Sequence, residues 1–260
     1  MITNIEWLTS FRGQRLRDRV RAGGIHLLIS AAIGTTAYVV MTQLVYPHPL
    51  FALSNAYLIF LLALVVDVVV GPMLTFLIYV RGKPGLRFDI AVIAVLQFIA
   101  LLAGAGTLWW ARPVFVAYVG PRFDLVLANE VDREDLAKAG RSLRPFGIEW
   151  VAASPPEDPK TRTEALMKAL TGSDLGAFPS LHVPLAGEYA NIRAAAEPFV
   201  NLKLYNEPAA VDRWLRSVNR THEDTAFLGL RARYRDATVA IDRRSGEVIG
   251  IVDFRPWAER

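Results

Sequence analysis

Asp67 is the residue that asks most of its surroundings. It stands in an apolar run from about Ala56 to Val80, four residues before Gly71-Pro72. An ionised carboxylate at the centre of a bilayer-spanning helix costs at least about 2.5–3.5 kcal/mol, so such a side chain needs a partner. Two chemistries suit it: a proton-coupled switch, or a hydrogen-bonded contact. The contact would be to another helix in the bilayer, or within this chain to Ser30, Thr35, Thr36 or Gln97. No second acid or base accompanies Asp67 in the apolar runs, which favours contact over proton transfer. Pro72 lacks a backbone donor and should kink the helix, freeing a carbonyl near the face of Asp67. Asp67, Gly71 and Pro72 are thus the candidate contact to a partner inside the membrane, with Gln97 as a secondary member.

Catalytic candidates are thin elsewhere. Cysteine is absent, which removes disulfides, thiolate catalysis, Fe–S clusters and Cys-based zinc sites together. Ser180 and His182 lie two apart with no third member in sight. Thr221-His222-Glu223-Asp224 sets a histidine beside two acids, but consecutive side chains point in different directions. The zincin, nucleophile-elbow, S-x-x-K and P-loop patterns do not occur. His182 with His222 would make a metal pair only if folding happened to join them. The sequence therefore predicts no catalytic residue, no metal and no cofactor. Asp89 reads as the N-cap of a helix, and His26 as a histidine at a membrane interface.

The elements that position Asp67 follow from hydropathy and charge. Of 260 residues, 53% are hydrophobic and 21% charged, with mean hydropathy +0.28, a membrane-protein balance. No acidic or basic residue occurs between Ala22 and Val66, and Tyr46-Pro47-His48-Pro49 interrupts that stretch. Three helical spans result: Ile25–Val45, about Ala56 to Val80, and Ile90–Ala111, which ends in the interfacial pair Trp109-Trp110. Residues 1–111 hold eight Lys/Arg against four Asp/Glu, whereas residues 112–260 hold 21 of each. The basic excess thus lies in the apolar half, which argues against nucleic acid as a partner. Five Arg precede the first span and three cations fill the 81–87 loop, while the Pro47 loop has none. The positive-inside rule then places the N-terminus and the 81–87 loop in the cytoplasm and residues 112–260 outside. In a bacterium this is a multi-pass inner-membrane protein with a periplasmic C-terminal domain. The predicted domains are a basic cytoplasmic arm, 1–24; a three-helix transmembrane domain, 25–111; and a periplasmic α/β domain, 112–260. The sequence specifies no oligomeric state.

The exported half reads as an α+β unit with an antiparallel sheet. Val114–Val119 and Phe123–Ala128 form a hairpin around Gly120-Pro121, and Asp132 N-caps a helix to Ala139. Ile148–Ala152 is a strand, Thr163–Leu170 a helix, and Ser173–Gly187 a long loop. Glu188–Ala196 and Ala209–Asn219 are helices, the second with Val211, Trp214, Leu215 and Val218 on one face. Three antiparallel strands close the chain at 226–234, 237–241 and 247–254. Balanced charge and its own apolar strands predict that the half from Arg112 folds without the membrane.

An ordered set of residues resembles the TfpX/TfpZ family of type IV pilin accessory proteins. It runs from Gly24-Ile25-His26-Leu27-Leu28-Ile29-Ser30 through Asp67, Gly71-Pro72 and Thr75 to Lys83, Phe88–Ile93 and Gln97. It continues with Ala111-Arg112-Pro113-Val114, Arg122-Phe123 and the closing Asp253–Trp257. The likeness covers most of 22–130 and thins through 145–225. It implies a non-catalytic inner-membrane factor for assembly, stability or modulation, partnered by the major type IV pilin and the lipid bilayer. It also adds Arg112 and Pro113 as secondary site candidates. Two other classes compete. A membrane-anchored periplasmic sensor or ligand-binding module would need an output domain, and the cytoplasmic parts are an arm and a short loop. A membrane enzyme would need an acid pair or nucleophile, and none stands out.

Overall fold

A computed structural model describes residues 6–154 and 174–258. Two compact units emerge. Among the described residues, those from Glu6 to Met41 pack with Ala56–Trp109, and Thr42–Asn55 pack with those from Trp110 onward.

The first unit is built on three helices long and apolar enough to cross a membrane: Arg15–Val45, Ala56–Ile78 and Leu86–Trp110. The first helix begins earlier than its apolar stretch predicts, at Glu6, so the basic segment before Ile25 continues the same helix. It ends in a π turn, Met41–Val45. The second helix is not broken at Gly71-Pro72. A π turn over Val66–Val70 absorbs the proline, and regular helix resumes over Gly71–Ile78. The third starts at Leu86, so Asp89 lies in its first turn, where its carboxylate pairs with Lys83 Nζ at 2.6 Å rather than capping. These helices meet through small residues. A Cβ on Gly23 would lie 3.2 Å from Phe76 Cβ, and one on Gly104 would lie 3.2 Å from Ala63 Cβ. Close backbone approach of this kind holds helices together where burying leucine against lipid gains nothing.

The second unit is a sheet. Its strands are β1 (Pro113–Tyr118), β2 (Phe123–Leu127), β3 (Glu149–Ala153), β4 (His182–Pro184), β5 (Glu197–Pro198), β6 (Thr225–Arg231), β7 (Ala237–Asp242) and β8 (Val248–Val252). The order is β4-β3-β1-β2-β6-β7-β8, with β5 also on β6. The antiparallel sheet expected from the sequence is corrected to a mixed one. The hairpins β1–β2, β6–β7 and β7–β8 are antiparallel as read, but β3 joins β1 in parallel and β2 joins β6 in parallel. Such pairings link strands far apart in the chain, whereas the sequence signal reports local turns. Asp132 does cap its helix, accepting from Asp135 N at 2.8 Å. The Ser173–Gly187 loop contains 3₁₀ turns at Leu175–Ala177, Pro179–Leu181 and Leu185–Glu188, with β4 among them. The helix read over 163–170 lies outside the described residues.

The segment between the first two long helices, assigned from sequence to the 25–111 domain, belongs to the sheet unit. Leu50 and Leu53 are fully buried in its main core with Val116, Phe123, Leu230 and Val239. Gly147 N donates to Leu44 O at 3.3 Å, a further tie of this segment to the sheet unit.

Candidate functional site

Asp67 lies at the π turn, and the backbone explains its setting. Gly71 N–H reaches five residues back to Val66 O. In that register the Asp67 carbonyl would receive its bond from residue 72, which is proline and has no N–H. The carbonyl is filled from outside the helix: Gln97 Nε2 donates to Asp67 O at 3.0 Å and lies 3.4 Å from Asp67 Oδ1. Gly71 makes this approach possible. A Cβ there would sit 2.2 Å from Gln97 Nε2, inside the amide. Four of the residues singled out from sequence, Asp67, Gly71, Pro72 and Gln97, therefore converge on one junction.

The junction continues along the helices. Asp67, Gly71 and Thr75 follow at four-residue steps on one face, and all three are buried. His26 Nδ1 and Thr75 Oγ1 share a hydrogen bond of 2.6 Å. Ser30, one turn beyond His26, is 5% exposed and lines a cavity of about 200 Å³ together with Asp67, Gln97, Ile33 and Phe98. Of the partners considered for Asp67, Gln97 is the one in contact. Thr35 and Thr36 donate instead to Ala31 O and Ala32 O of their own helix, at 2.8 and 2.9 Å. His26 and Thr75 both belong to the family resemblance, but the sequence does not pair them; they fall on the four-residue stripes that carry Ser30 and Asp67.

Arg112 and Pro113 sit apart from this junction, in the sheet unit. Arg112 is buried, with Nη2 donating to Arg144 O at 3.0 Å, and its carbonyl accepts Ala128 N at 2.8 Å. Burial draws its guanidinium pKa below the usual value. Pro113 opens β1 opposite Leu127. Both anchor the start of the sheet.

The polar residues weighed from the sequence in the sheet unit are held by neighbours in the fold. Ser180 N and Oγ donate to the Asp135 carboxylate at 2.8 and 2.7 Å. His182 shares hydrogen bonds with Gly176 O at 2.8 Å and Arg141 Nη1 at 3.1 Å, and its edge meets the Phe115 ring. Burial lowers the His182 pKa. Ser180 and His182 thus have separate partners rather than each other. His222 Nε2 meets Asp212 Oδ1 at 2.7 Å, and Lys203 reaches the same oxygen at 2.6 Å. Among the described residues, no three His, Cys, Asp or Glu are grouped to hold a metal. Asp124, 2% exposed, accepts Arg231 Nε and Nη2 at 3.1 and 3.0 Å and Arg122 Nε at 2.9 Å. Burial pushes its pKa up despite the two guanidiniums. Asp124 and Arg231 are register partners across the parallel β2–β6 pair, and Arg231 continues to Asp174. At the chain's end, Trp257 covers Gly229 on β6 and donates from Nε1 to Asp236 Oδ2 at 3.0 Å.

Residues 14–55 match the family model described as Fimbrial assembly protein FimB. That stretch is the first apolar helix plus the segment buried in the sheet unit. The chain is similar to fimbrial assembly proteins of Dichelobacter nodosus. It is 27% identical to the serogroup I protein over 228 residues, 84% of this chain and 88% of the relative. It is 27% identical to the serogroup E1 protein over 193 residues, 71% of this chain and 74% of that relative. The protein of serogroups C1 and C2 is 25% identical over 131 residues, covering 48% of this chain and 98% of its own length. No solved structure matches the chain significantly.

Proposed function

We propose that this chain is a non-catalytic accessory protein of the bacterial inner membrane that serves type IV pilin. Its three apolar helices span the membrane and its sheet unit lies in the periplasm. The observation that carries the reading is the likeness to fimbrial assembly proteins along 84% of the chain. The geometry supplies a means. A pilin subunit awaiting assembly has an apolar helix in the bilayer and a globular head outside it, so a helper needs one surface in each phase. The Asp67–Gln97 junction and the cavity beside it offer polar atoms and close approach within an otherwise apolar helix set, the features that hold helices together in lipid. The sheet unit offers the second surface. Folding of the 42–55 segment into that unit supports a common side for the first interhelical segment and the C-terminal half.

The test is deletion of the gene in a cell that makes pili, followed by assay of pilin level and surface pili. Loss of piliation, restored by the intact chain, is expected. Normal piliation in its absence would overturn the proposal.

A further inference from the structure

The three-helix unit holds a second, larger cavity, of about 710 Å³, at the end where Arg21 and Arg81 stand. Its lining is polarised along the helices. Arg21, Ile25 and Ile29 follow at four-residue steps on the first helix, and Ile90 and Ala94 face them from the third. A cationic mouth therefore opens into a slot with an apolar wall, whose other side carries the His26–Thr75 pair and Tyr79. Among the described residues, neither Arg21 nor Arg81 has a hydrogen-bond or ion-pair partner. The neighbouring Arg19 differs, because its Nε is engaged with Tyr79 O at 3.0 Å. Asp18 also lines the mouth, so the formal lining charge is one positive unit with two guanidiniums still available.

We propose that this cavity binds one anionic phospholipid, its phosphate on Arg21 and Arg81 and an acyl chain along Ile25, Ile29, Ile90 and Ala94. The inference rests on the three helices being membrane spans; the cavity adjoins the smaller one beside Asp67, sharing His26, Ile29 and Ala94, but Arg21, Arg81 and Ile90 belong to it and not to that one. Guanidiniums match phosphate oxygens in geometry as well as charge, and a basic pocket between helices at a membrane surface favours anionic headgroups. The apolar wall distinguishes a lipid from free phosphate, since each buried methylene adds to the affinity.

The full chain, purified in a zwitterionic detergent, is titrated with phosphatidylglycerol, phosphatidylcholine or inorganic phosphate. Bound lipid is read by native mass spectrometry and stability by thermal melting. Phosphatidylglycerol should bind about tenfold more tightly than phosphatidylcholine or better, and phosphate alone should not raise the melting temperature. The double variant Arg21→Gln/Arg81→Gln should lose about 10- to 30-fold in phosphatidylglycerol affinity while melting normally without lipid. Ile90→Trp, which fills the slot without touching the charge or the cavity beside Asp67, should weaken binding as well. Arg87→Gln removes an exposed cation outside the lining and should bind like the parent. Equal binding of the two lipids, an equal loss in Arg87→Gln, or full competition by inorganic phosphate would overturn the proposal.

Discussion

In the three-helix unit most large apolar side chains point outward, Leu28, Leu62 and Phe88 being 72%, 69% and 72% exposed, while Met41, Ile93 and Leu108 are buried. In the sheet unit Val116, Phe123 and Ile241 are 0% exposed. The helices keep glycine, serine, threonine and an acid on the inside, and the sheet keeps valine, leucine and phenylalanine there. One chain thus uses two opposite rules for what belongs in an interior, as the proposed placement of the helices in lipid and of the sheet unit in water requires. Where water is the solvent, burying apolar area drives packing. Where lipid is the solvent, close contact and hydrogen bonds must do it. Equivalent substitutions should therefore cost much more in the sheet unit than in the helices.

The largest effect is expected at the segment between the first two long helices. Leu50→Ala and Leu53→Ala each empty a fully buried site and should destabilise the sheet unit by about 2–5 kcal/mol. A soluble fragment starting at Arg112 lacks both leucines, so the autonomous fold expected for 112–260 should require 42–55 as well. Thermal unfolding of a fragment from Trp110, with and without a fused 42–55 segment, checks this. A cooperative transition of equal midpoint in both would show that the segment is dispensable.

That segment also marks the limit of sequence legibility. The long helices were readable because 20-odd residues without charge leave few alternatives. Asp67 is readable because an acid among leucines needs a partner, and Gln97 is one of the four side chains the sequence offers for it. The contact itself is not readable, since Gln97 mainly serves the Asp67 backbone carbonyl. Only the π turn at Val66–Val70 orphans that group. Gly71-Pro72 signals a local break in bonding but not whether the helix kinks or rewinds. Leu50 and Leu53 look like an ordinary apolar loop, because the strands that bury them begin some 60 residues later. The parallel β1–β3 and β2–β6 pairings escaped for the same reason of distance.

Glycines sharpen the contrast. A Cβ on Gly229 would lie 2.0 Å from the rigid Trp257 ring, so Gly229→Ala should cost about 1–3 kcal/mol by displacing it. Gly71→Ala meets the movable end of Gln97 and should cost about 1 kcal/mol, through the lost bond to Asp67 O. Melting of the two variants in the same detergent should rank them in that order, and the reverse order would break the comparison.

Acid should act on the sheet unit through Asp242. Backbone N–H groups from the Ser245 turn, then Arg220 at 2.7 Å, draw its pKa from 3.8 down to about 2. A depressed carboxylate contributes stability above its unfolded pKa and loses it as pH falls through the folded value. The loss is expected between about pH 4 and pH 2, amounting to about 2 kcal/mol or less. Asp242→Asn should flatten the melting temperature over that window, and an unchanged acid slope would remove Asp242 from the account.

The smallest energetic effect belongs to Asp67. Intramembrane hydrogen bonds average about 0.6 kcal/mol and stay under about 2. Asp67→Asn should stay close to the parent in pilin capture and piliation, because the amide still bonds. Asp67→Leu should be clearly worse. Equal failure of both would instead indicate proton-coupled chemistry, and no effect of either would remove Asp67 from the site.

We propose that the helix face beside Asp67 and Gln97 packs against the pilin helix, and site-specific photocrosslinking in living cells tests this directly. A photoreactive residue at Phe98, 60% exposed and lining that cavity, is compared with one at Leu62, 69% exposed and outside the cavity. The account predicts a pilin adduct from position 98 and little or none from position 62. No pilin adduct from either position, or equal adducts from both, with the variants present at normal levels, would contradict it.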